Sequence, residues 1–456
     1  MVDDGRDEDE DGLNTRRVAA ILEAVEAADR AALSRLLEPL HPADVADLLE
    51  QISAEDRRAL LALGAGDIDG DILSEISDSI REEVIEALPP EVVAEAMRDL
   101  DTDDVVDILE DLEEPAQQTI LSVLDSADRV AVEQALSYPD YSAGRLMQRE
   151  VVTAPQHWTV GEMIDHLRSA EWLPDQFYHV ILVDPRMKPV AYVTLGRLLS
   201  ARRETRLADL VEDSFRTIEA SEPEADVAYL FNQYHLISCP VVDEFGRLVG
   251  VITIDDAMNV LDEEHQEDML RMAGVSDEAS VSDGVWQTLK GRLPWLFVNL
   301  LTANLAALVI SRFEATISAI VVLAALMPIV ASMGGNAGTQ SLTVAVRALA
   351  TRDLTAQNAL RVVRREAVVG LLNGAVFAAL MGAVGWLVFG WPMLGLVLAL
   401  AIIINLLVAA LAGVLVPLAM NRLGADPALA SGTFVTTVTD VTGFFAFLGL
   451  ASWMLM

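Results

Sequence analysis

Nearly all of the charge in this 456-residue chain lies before Gly291, and nearly everything after it is apolar. The first 290 residues hold 65 acidic and 23 basic side chains and the remainder five and eight, so a net charge of −39 divides into −42 and +3. No single core accommodates both compositions, and the apolar runs approach the roughly 20 residues a helix needs to cross a bilayer. A membrane domain is therefore expected to follow a large soluble one, with two or three domains in all.

The acidic portion excludes a nucleic-acid partner, whose phosphates seek a basic surface, and it concentrates cations instead. Lys188 and Lys290 are the only lysines, and an Arg-over-Lys, acid-rich surface also suits a salt-adapted organism, so bulk acidity alone assigns no site. The single Cys239 excludes an intramolecular disulfide, and the stretch Asp3 to Asp11 is acidic where a secretory signal would be basic and then apolar. The soluble portion is expected in the cytoplasm.

Five spans are read at about Leu293 to Ser311, Ala319 to Ala345, Ala367 to Phe389, Leu394 to Leu418 and Ser431 to Leu455. The connection after the second carries Arg347, Arg352, Arg361, Arg364 and Arg365, and that after the fourth carries Arg422, whereas the opposite side offers only Arg312. This asymmetry places the Arg-bearing loops and the N-terminal portion inside, and an odd number of spans then leaves the C-terminus outside.

From Leu13 to Leu136 the pattern is helical, and a short motif recurs in it: His41-Pro42-Ala43-Asp44, Pro89-Pro90-Glu91-Val92 and Thr102-Asp103-Asp104-Val105 each open an apolar helix. Stacked helical hairpins, an all-α solenoid, are expected. From Ser142 to Asp268 the chain repeats itself at an offset of 59 residues: Val183-Asp184 with Val190 to Leu195 returns as Val242-Asp243 with Val249 to Ile254. Two apolar strands and a helix, each present twice, resemble tandem CBS domains. The second copy carries Gly250, Thr253 and Asp256 in the pattern that adenine-nucleotide-binding CBS domains use, whereas the first has Ala191, Thr194 and Arg197 and lacks the ribose-binding acid. One ATP site or a purely structural pair both fit.

An ionised carboxylate at membrane depth costs at least about 2.5–3.5 kcal/mol, so Asp440 in the fifth span demands a function. Thr433, Thr436, Thr437 and Asp440 share one helical face, and the second span copies the spacing with Asn336, Thr339, Gln340 and Thr343 after Gly334-Gly335. Oxygen-rich stripes without Cys or His suit a hard divalent cation such as Mg2+, which sheds its water reluctantly and is best gripped through outer-shell hydrogen bonds. The alternative for any one hydroxyl is an interhelical hydrogen bond. Glu314, after Arg312 at the outer end of the first span, reads as an interfacial ion pair.

Over essentially its full length the chain resembles the MgtE family of Mg2+ channels. The resemblance rests on Tyr138-Pro139 and Ser142 to Met147, on Gly334-Gly335-Asn336-Ala337-Gly338-Thr339-Gln340-Ser341 with Arg347 to Arg352, and on Asp426-Pro427 with Asp440-Val441-Thr442-Gly443. It implies a multidomain architecture: an all-α solenoid N domain (1–137), an α/β tandem CBS pair (138–268, divided as 138–202 and 203–268), a connecting plug helix (269–291) and a five-helix all-α transmembrane pore domain (292–456). It further implies a homodimer whose paired Asp440 residues hold hydrated Mg2+ on the two-fold axis, with Asn336, Gln340, Thr436 and Thr437 around it. Regulatory Mg2+ would bind Asp103 and Asp107 on the solenoid and Asp262, Glu264, Glu267 and Asp268 on the CBS side, closing the pore when internal Mg2+ is high. His235 departs from the family, which often has an acid there.

Two other readings stand beside the channel: a carrier coupling Mg2+ to Na+, and a non-conducting receptor in which the CBS pair reads nucleotide and the spans only anchor. Anchoring leaves Asp440 unexplained. No Gly-x-Ser-x-Gly elbow, phosphate-binding loop or His-Glu-x-x-His motif is present, so an enzyme is not expected.

Overall fold

The structure, a computed structural model, describes residues 13–456 except 111, 113, 171, 175, 212–214, 277–278, 281–283 and 431. The acidic stretch Asp3 to Asp11 and the first residue of the expected fifth span, Ser431, lie outside the described residues. Two compact units make up the chain, Met1–Asp262 and Glu263–Met456.

The first unit opens with ten helices: α1 (Thr15–Glu26), α2 (Arg30–Leu37), α3 (Pro42–Gln51), α4 (Ala54–Gly64), α5 (Gly70–Ser74), α6 (Asp78–Ala87), α7 (Pro90–Asp99), α8 (Thr102–Glu110), α9 (Glu114–Val123) and α10 (Ser126–Ala135). Their starts follow local chemistry. Asn14, Asp29, Ser53 and Asp69 accept backbone N–H bonds from the first turns of α1, α2, α4 and α5, and Pro42 and Pro90 open α3 and α7, where a missing N–H costs nothing. One apolar core runs from Ile21 to Ala135, including Leu33, Leu48, Leu60, Leu73, Val84, Met97 and Ile108.

Two buried arginines repeat along this stack. Arg57 donates to Leu49 O at 2.8 Å and pairs with Glu83 at 2.7 Å; 24 residues on, Arg81 donates to Ile76 O at 3.2 Å and pairs with Asp107 at 3.0 Å and Asp78 at 3.1 Å. Each closes a helix end and ties it to the next repeat. Truncating Arg81 to Ala leaves the Ile76 carbonyl without this donor and opens a cavity, so it is expected to destabilise the soluble portion by about 1–3 kcal/mol, read as a lower urea midpoint at unchanged slope. A shift within error would show that the clamp contributes nothing measurable to stability.

The unit continues as β1 (Thr153–Pro155), α11 (Val160–Ser169), β2 (His179–Val183), β3 (Pro189–Thr194) and α12 (Leu195–Ser200), then β4 (Ile218–Glu219), α13 (Glu224–Tyr234), β5 (Ser238–Val242), β6 (Leu248–Thr253) and α14 (Ile254–Ala273). The sheets are ordered β1-β2-β3 and β4-β5-β6, each with a parallel then an antiparallel pairing. The 59-residue repeat survives in register: Val180 pairs with Val193 and Cys239 with Ile252, and both hairpins carry an irregularity at the equivalent place, Leu182/Val183 and Val241/Val242.

The second unit takes in the end of α14 and then α15 (Val285–Ser311), α16 (Glu314–Ala319), α17 (Val322–Ala350), α18 (Ala359–Phe389), α19 (Pro392–Arg422) and α20 (Gly432–Leu455). Five of these, α15, α17, α18, α19 and α20, are long and apolar enough to cross a membrane. Glu314 stands at the start of α16. A single helix over 269–291 is not what forms: α14 ends at Ala273, Gly274 takes φ +72°, and a new helix starts at Val285. Glycine in the left-handed region closes a helix end at no steric cost.

Candidate cation sites

α19 is the centre of the second unit, packed by α17, α18 and α20. Of its most apolar stretch 56% is buried, against 6% for α15. Small residues permit the close approach: a Cβ on Gly413 would fall 2.6 Å from Gly338 O, one on Gly338 2.6 Å from Val435 Cγ1, and one on Gly335 3.3 Å from Thr436 Cγ2. The two helices bearing the polar stripes, α17 and α20, thus pack directly on one another.

Asp440 is half-buried on α20, as are Thr436 and Thr437, while Asn336 and Gln340 are exposed on α17. The hydroxyls do not bond across helices. Thr436 donates to Gly432 O at 2.6 Å, Thr437 to Thr433 O at 2.6 Å, Thr339 to Gly335 O at 2.9 Å and Thr343 to Thr339 O at 3.0 Å. With its proton spent on its own helix, each hydroxyl presents lone pairs, which is what a water in a cation's shell, a pure donor, requires. Among the described residues no three His, Cys, Asp or Glu side chains converge as a ready-made inner-sphere metal site.

Further polar residues on the membrane helices lie outside the polar stripes, among them Glu366, Asn299, Asn304 and Asn405. Glu366, within α18, accepts from Ser341 Oγ at 3.2 Å and pairs with Arg365 at 3.2 Å. Asn299 and Asn304 are exposed on α15. Asn405, in the middle of α19, is 1% exposed; its Nδ2 donates to Val330 O at 2.7 Å while its Oδ1 has no hydrogen-bond partner among the described residues. Leaving such an oxygen unpaired costs about 1–3 kcal/mol, and the run Ile402-Ile403-Ile404-Asn405 is a signal as plain as Asp440.

Two acidic groupings lie outside the spans. In the first unit, Glu150 caps α8: Thr102 Oγ1 donates to Glu150 Oε1 at 2.7 Å, and Gln148 Nε2 donates to Asp101 Oδ2 at 3.2 Å. That docking brings Asp103 and Asp104 of α8 beside Asp256 at the start of α14. Burial, then the charges of Asp256, Asp104 and Asp101, drive the Asp103 carboxyl well above its usual range. Burial and neighbouring acids push Asp104 up to about 7, and burial does the same to Asp256 against the hydrogen bond from Thr253. Asp107, one turn on, is held by Arg81.

In the second unit, Glu264, Glu267 and Asp268 of α14 meet Asp426, with Arg271 between: its guanidinium reaches Glu267 at 2.9 Å and Asp426 at 2.8 Å. Burial and then the neighbouring acids raise Glu264, and burial and then Asp426 raise Asp268. Asp262 is exposed.

The nucleotide pattern has another local use. A Cβ on Gly250 would fall 2.6 Å from Gln148 O, so glycine is needed for that bridge, and Thr253 Oγ1 donates to Asp256 Oδ2 at 2.8 Å and to Asp255. Arg197 of the first copy is spent on the carbonyls of Leu210 and Val211 at 3.3 and 3.2 Å. A small cleft between the copies is lined by residues that include Gln148, Glu150, Tyr178, His179, Ser238 and Thr253. His235 caps α13 in the left-handed conformation, φ 53°.

An acidic helical stack, a CBS pair and five membrane-length helices carrying oxygen-rich stripes define a divalent-cation transporter of the membrane. Family models agree: MgtE, a divalent cation transporter, over residues 327–450, the MgtE intracellular N domain over 40–141 and a CBS domain over 207–263. The chain is 33% identical to the magnesium transporter MgtE of Thermus thermophilus over 449 residues, 97% of this chain and 99% of that one. It is 28% identical to the magnesium transporter MgtE of Bacillus subtilis over 417 residues (91% and 92%). Among solved structures, the cytosolic domain of the Mg2+ channel MgtE in complex with ATP aligns at 31% identity, covering 53% of this chain and 99% of that one with a TM-score of 0.49. The chain belongs to the MgtE family of magnesium transporters, which is not an enzyme family.

Proposed function

We propose that the chain is a Mg2+-selective channel that admits Mg2+ across the plasma (inner) membrane and closes when cytoplasmic Mg2+ binds its acidic clusters. The observation that carries this is the pair of stripes on α17 and α20, whose hydroxyl oxygens present acceptors at membrane depth beside Asp440. Polar groups cost too much there to serve as lipid-facing surface. Asn336 and Gln340 are exposed in one chain, and a second copy across a wet axis would give them partners, which supports a homodimer as part of this reading. Facing Asp440 carboxylates would then repel unless a cation lay between them.

The Arg-rich loops put the soluble domains in the cytoplasm and the C-terminus outside. Scarce Mg2+ leaves Asp103, Asp104 and Asp256, and likewise Glu264, Asp268 and Asp426, to repel; bound Mg2+ bridges them and favours the closed arrangement. Asp107 borders the first group and Glu267 the second. At the CBS pair, ATP has weaker support than Mg2+, because Asp256 is committed to Thr253 and faced by acids.

Mg2+ flux into proteoliposomes of the full chain tests the reading. Uptake is expected without a Na+ gradient and to fall several-fold when the face bearing the soluble domains is bathed in millimolar Mg2+. Dependence on Na+ would establish the carrier instead, and indifference to internal Mg2+ would remove the sensor.

A further inference from the structure

Asn405 joins three helices at one point. Its amide fills the space that Cβ atoms would need on Gly334 of α17 and Gly443 of α20: a Cβ on Gly334 would overlap Nδ2 and lie 2.8 Å from Cγ, and one on Gly443 would lie 2.8 Å from Nδ2 and 3.0 Å from Cγ. Both glycines are themselves buried. The Nδ2 donation to Val330 O fixes α19 to α17 in rotation and along the axis, which an aliphatic side chain of similar bulk would not do. The unpartnered Oδ1 makes the amide a poor choice for packing alone.

The joint lies close to both stripes. Gly443 is three residues from Asp440 and Gly334 two from Asn336, less than one helical turn in each case, and a packed helix moves as a rigid element. One turn further along the same interface, Thr439 is fully buried and Gly338 meets Val435, so the wedge lies within a continuous seam between α17 and α20.

We infer that Asn405 is a positioning residue for the cation site: the wedge whose amide sets the spacing and register of α17 against α20, and through them the geometry in which Asp440 and Asn336 meet the hydrated ion. The inference rests on the reading of Asp440 as the pore site.

The test uses the full chain in proteoliposomes, with flux per folded molecule read as half-saturating Mg2+ and as the Mg2+/Ca2+ flux ratio. The variants are Asn405→Ala, Asn405→Leu, Gly443→Ala, the double Asn405→Ala/Gly443→Ala, and Asp440→Ala. Gly443→Ala alone is expected to lose flux about tenfold or more, because its methyl collides with the amide. The double variant regains most of that loss. Asn405→Ala and Asn405→Leu each move half-saturation or the ion ratio by about fivefold or more while chromatographic profile and unfolding temperature show folded protein.

An unchanged half-saturation and ion ratio in both Asn405 variants, or a Gly443→Ala defect that Asn405→Ala does not relieve, overturns the inference. Should Asn405→Ala fail to fold, the double variant, which refills the space, and Asn405→Leu discriminate in the same way. Asp440→Ala separates the two readings: undiminished flux there removes the pore assignment itself, whereas lost flux there with indifferent Asn405 variants removes only the wedge.

Discussion

Replacing Asp440 by Ala is expected to lower Mg2+ flux at least 30-fold while leaving the protein folded. At ~5 Å, a distance suited to a carboxylate and a fully hydrated divalent ion, and an effective dielectric near 20, each carboxylate attracts the ion by roughly 6 kcal/mol. If only about a third of that survives desolvation, the remaining 2 kcal/mol corresponds to about 30-fold. Asp440→Asn keeps an acceptor oxygen and removes the charge, so its flux should lie between wild type and Ala, with discrimination against Ca2+ better kept than the rate. Isotope uptake at several Mg2+ concentrations separates the two effects. Ala and Asn variants that conduct like wild type would return Asp440 to a packing role and leave the stripes without their central charge.

Features written along the chain are legible in the sequence alone. Hydropathy locates the five spans because a bilayer imposes length and composition on each helix independently of its neighbours. The 59-residue repeat of Val183-Asp184 in Val242-Asp243 reappears as identical strand register, because a hairpin's pairing is set locally. The break at Gly274 is written there too, as a glycine followed shortly by Ser276, a residue that favours caps and turns over a helix interior, although the family resemblance implied one helix over 269–291.

What the sequence hides is tertiary. The spacing of Arg81 and Asp107 reads as two surface charges until α6 and α8 stack. Thr253 and Asp256 read as a nucleotide pattern because nothing local announces that α8 delivers Asp103 and Asp104 to them. In the membrane, Gly334 and Gly443 stand in the family motifs with nothing local to show what fills the space beside them, and their shared neighbour, Asn405, lies 71 and 38 residues away along the chain. The cost of polarity at membrane depth, which singles out Asp440, applies equally to a lone amide in an isoleucine run.

The acids between α8 and α14 make a second large effect testable, through linkage. Asp104 and Asp256 titrate near 7 in the folded protein, and Asp103 is also raised, whereas each would lie near 3.8 if unfolded. Between those values the folded state holds more protons than the unfolded one, so the grouping's contribution to stability is fully present below about 3.8 and is lost as pH rises through about 7. Mg2+ relieves the same repulsion, and competes with protons for the same oxygens. The stabilisation of the soluble domains by millimolar Mg2+, measured as a shift in thermal midpoint, is therefore expected to be large at pH 8 and nearly absent at pH 5. In Asp103→Asn/Asp256→Asn the Mg2+ shift at pH 8 should fall by more than half while the metal-free protein at pH 8 becomes more stable, since two of the repelling charges are gone. A wild-type Mg2+ shift that is equal at pH 5 and pH 8, or a double variant less stable than wild type without metal, would show that these carboxylates do not bind Mg2+ as a group.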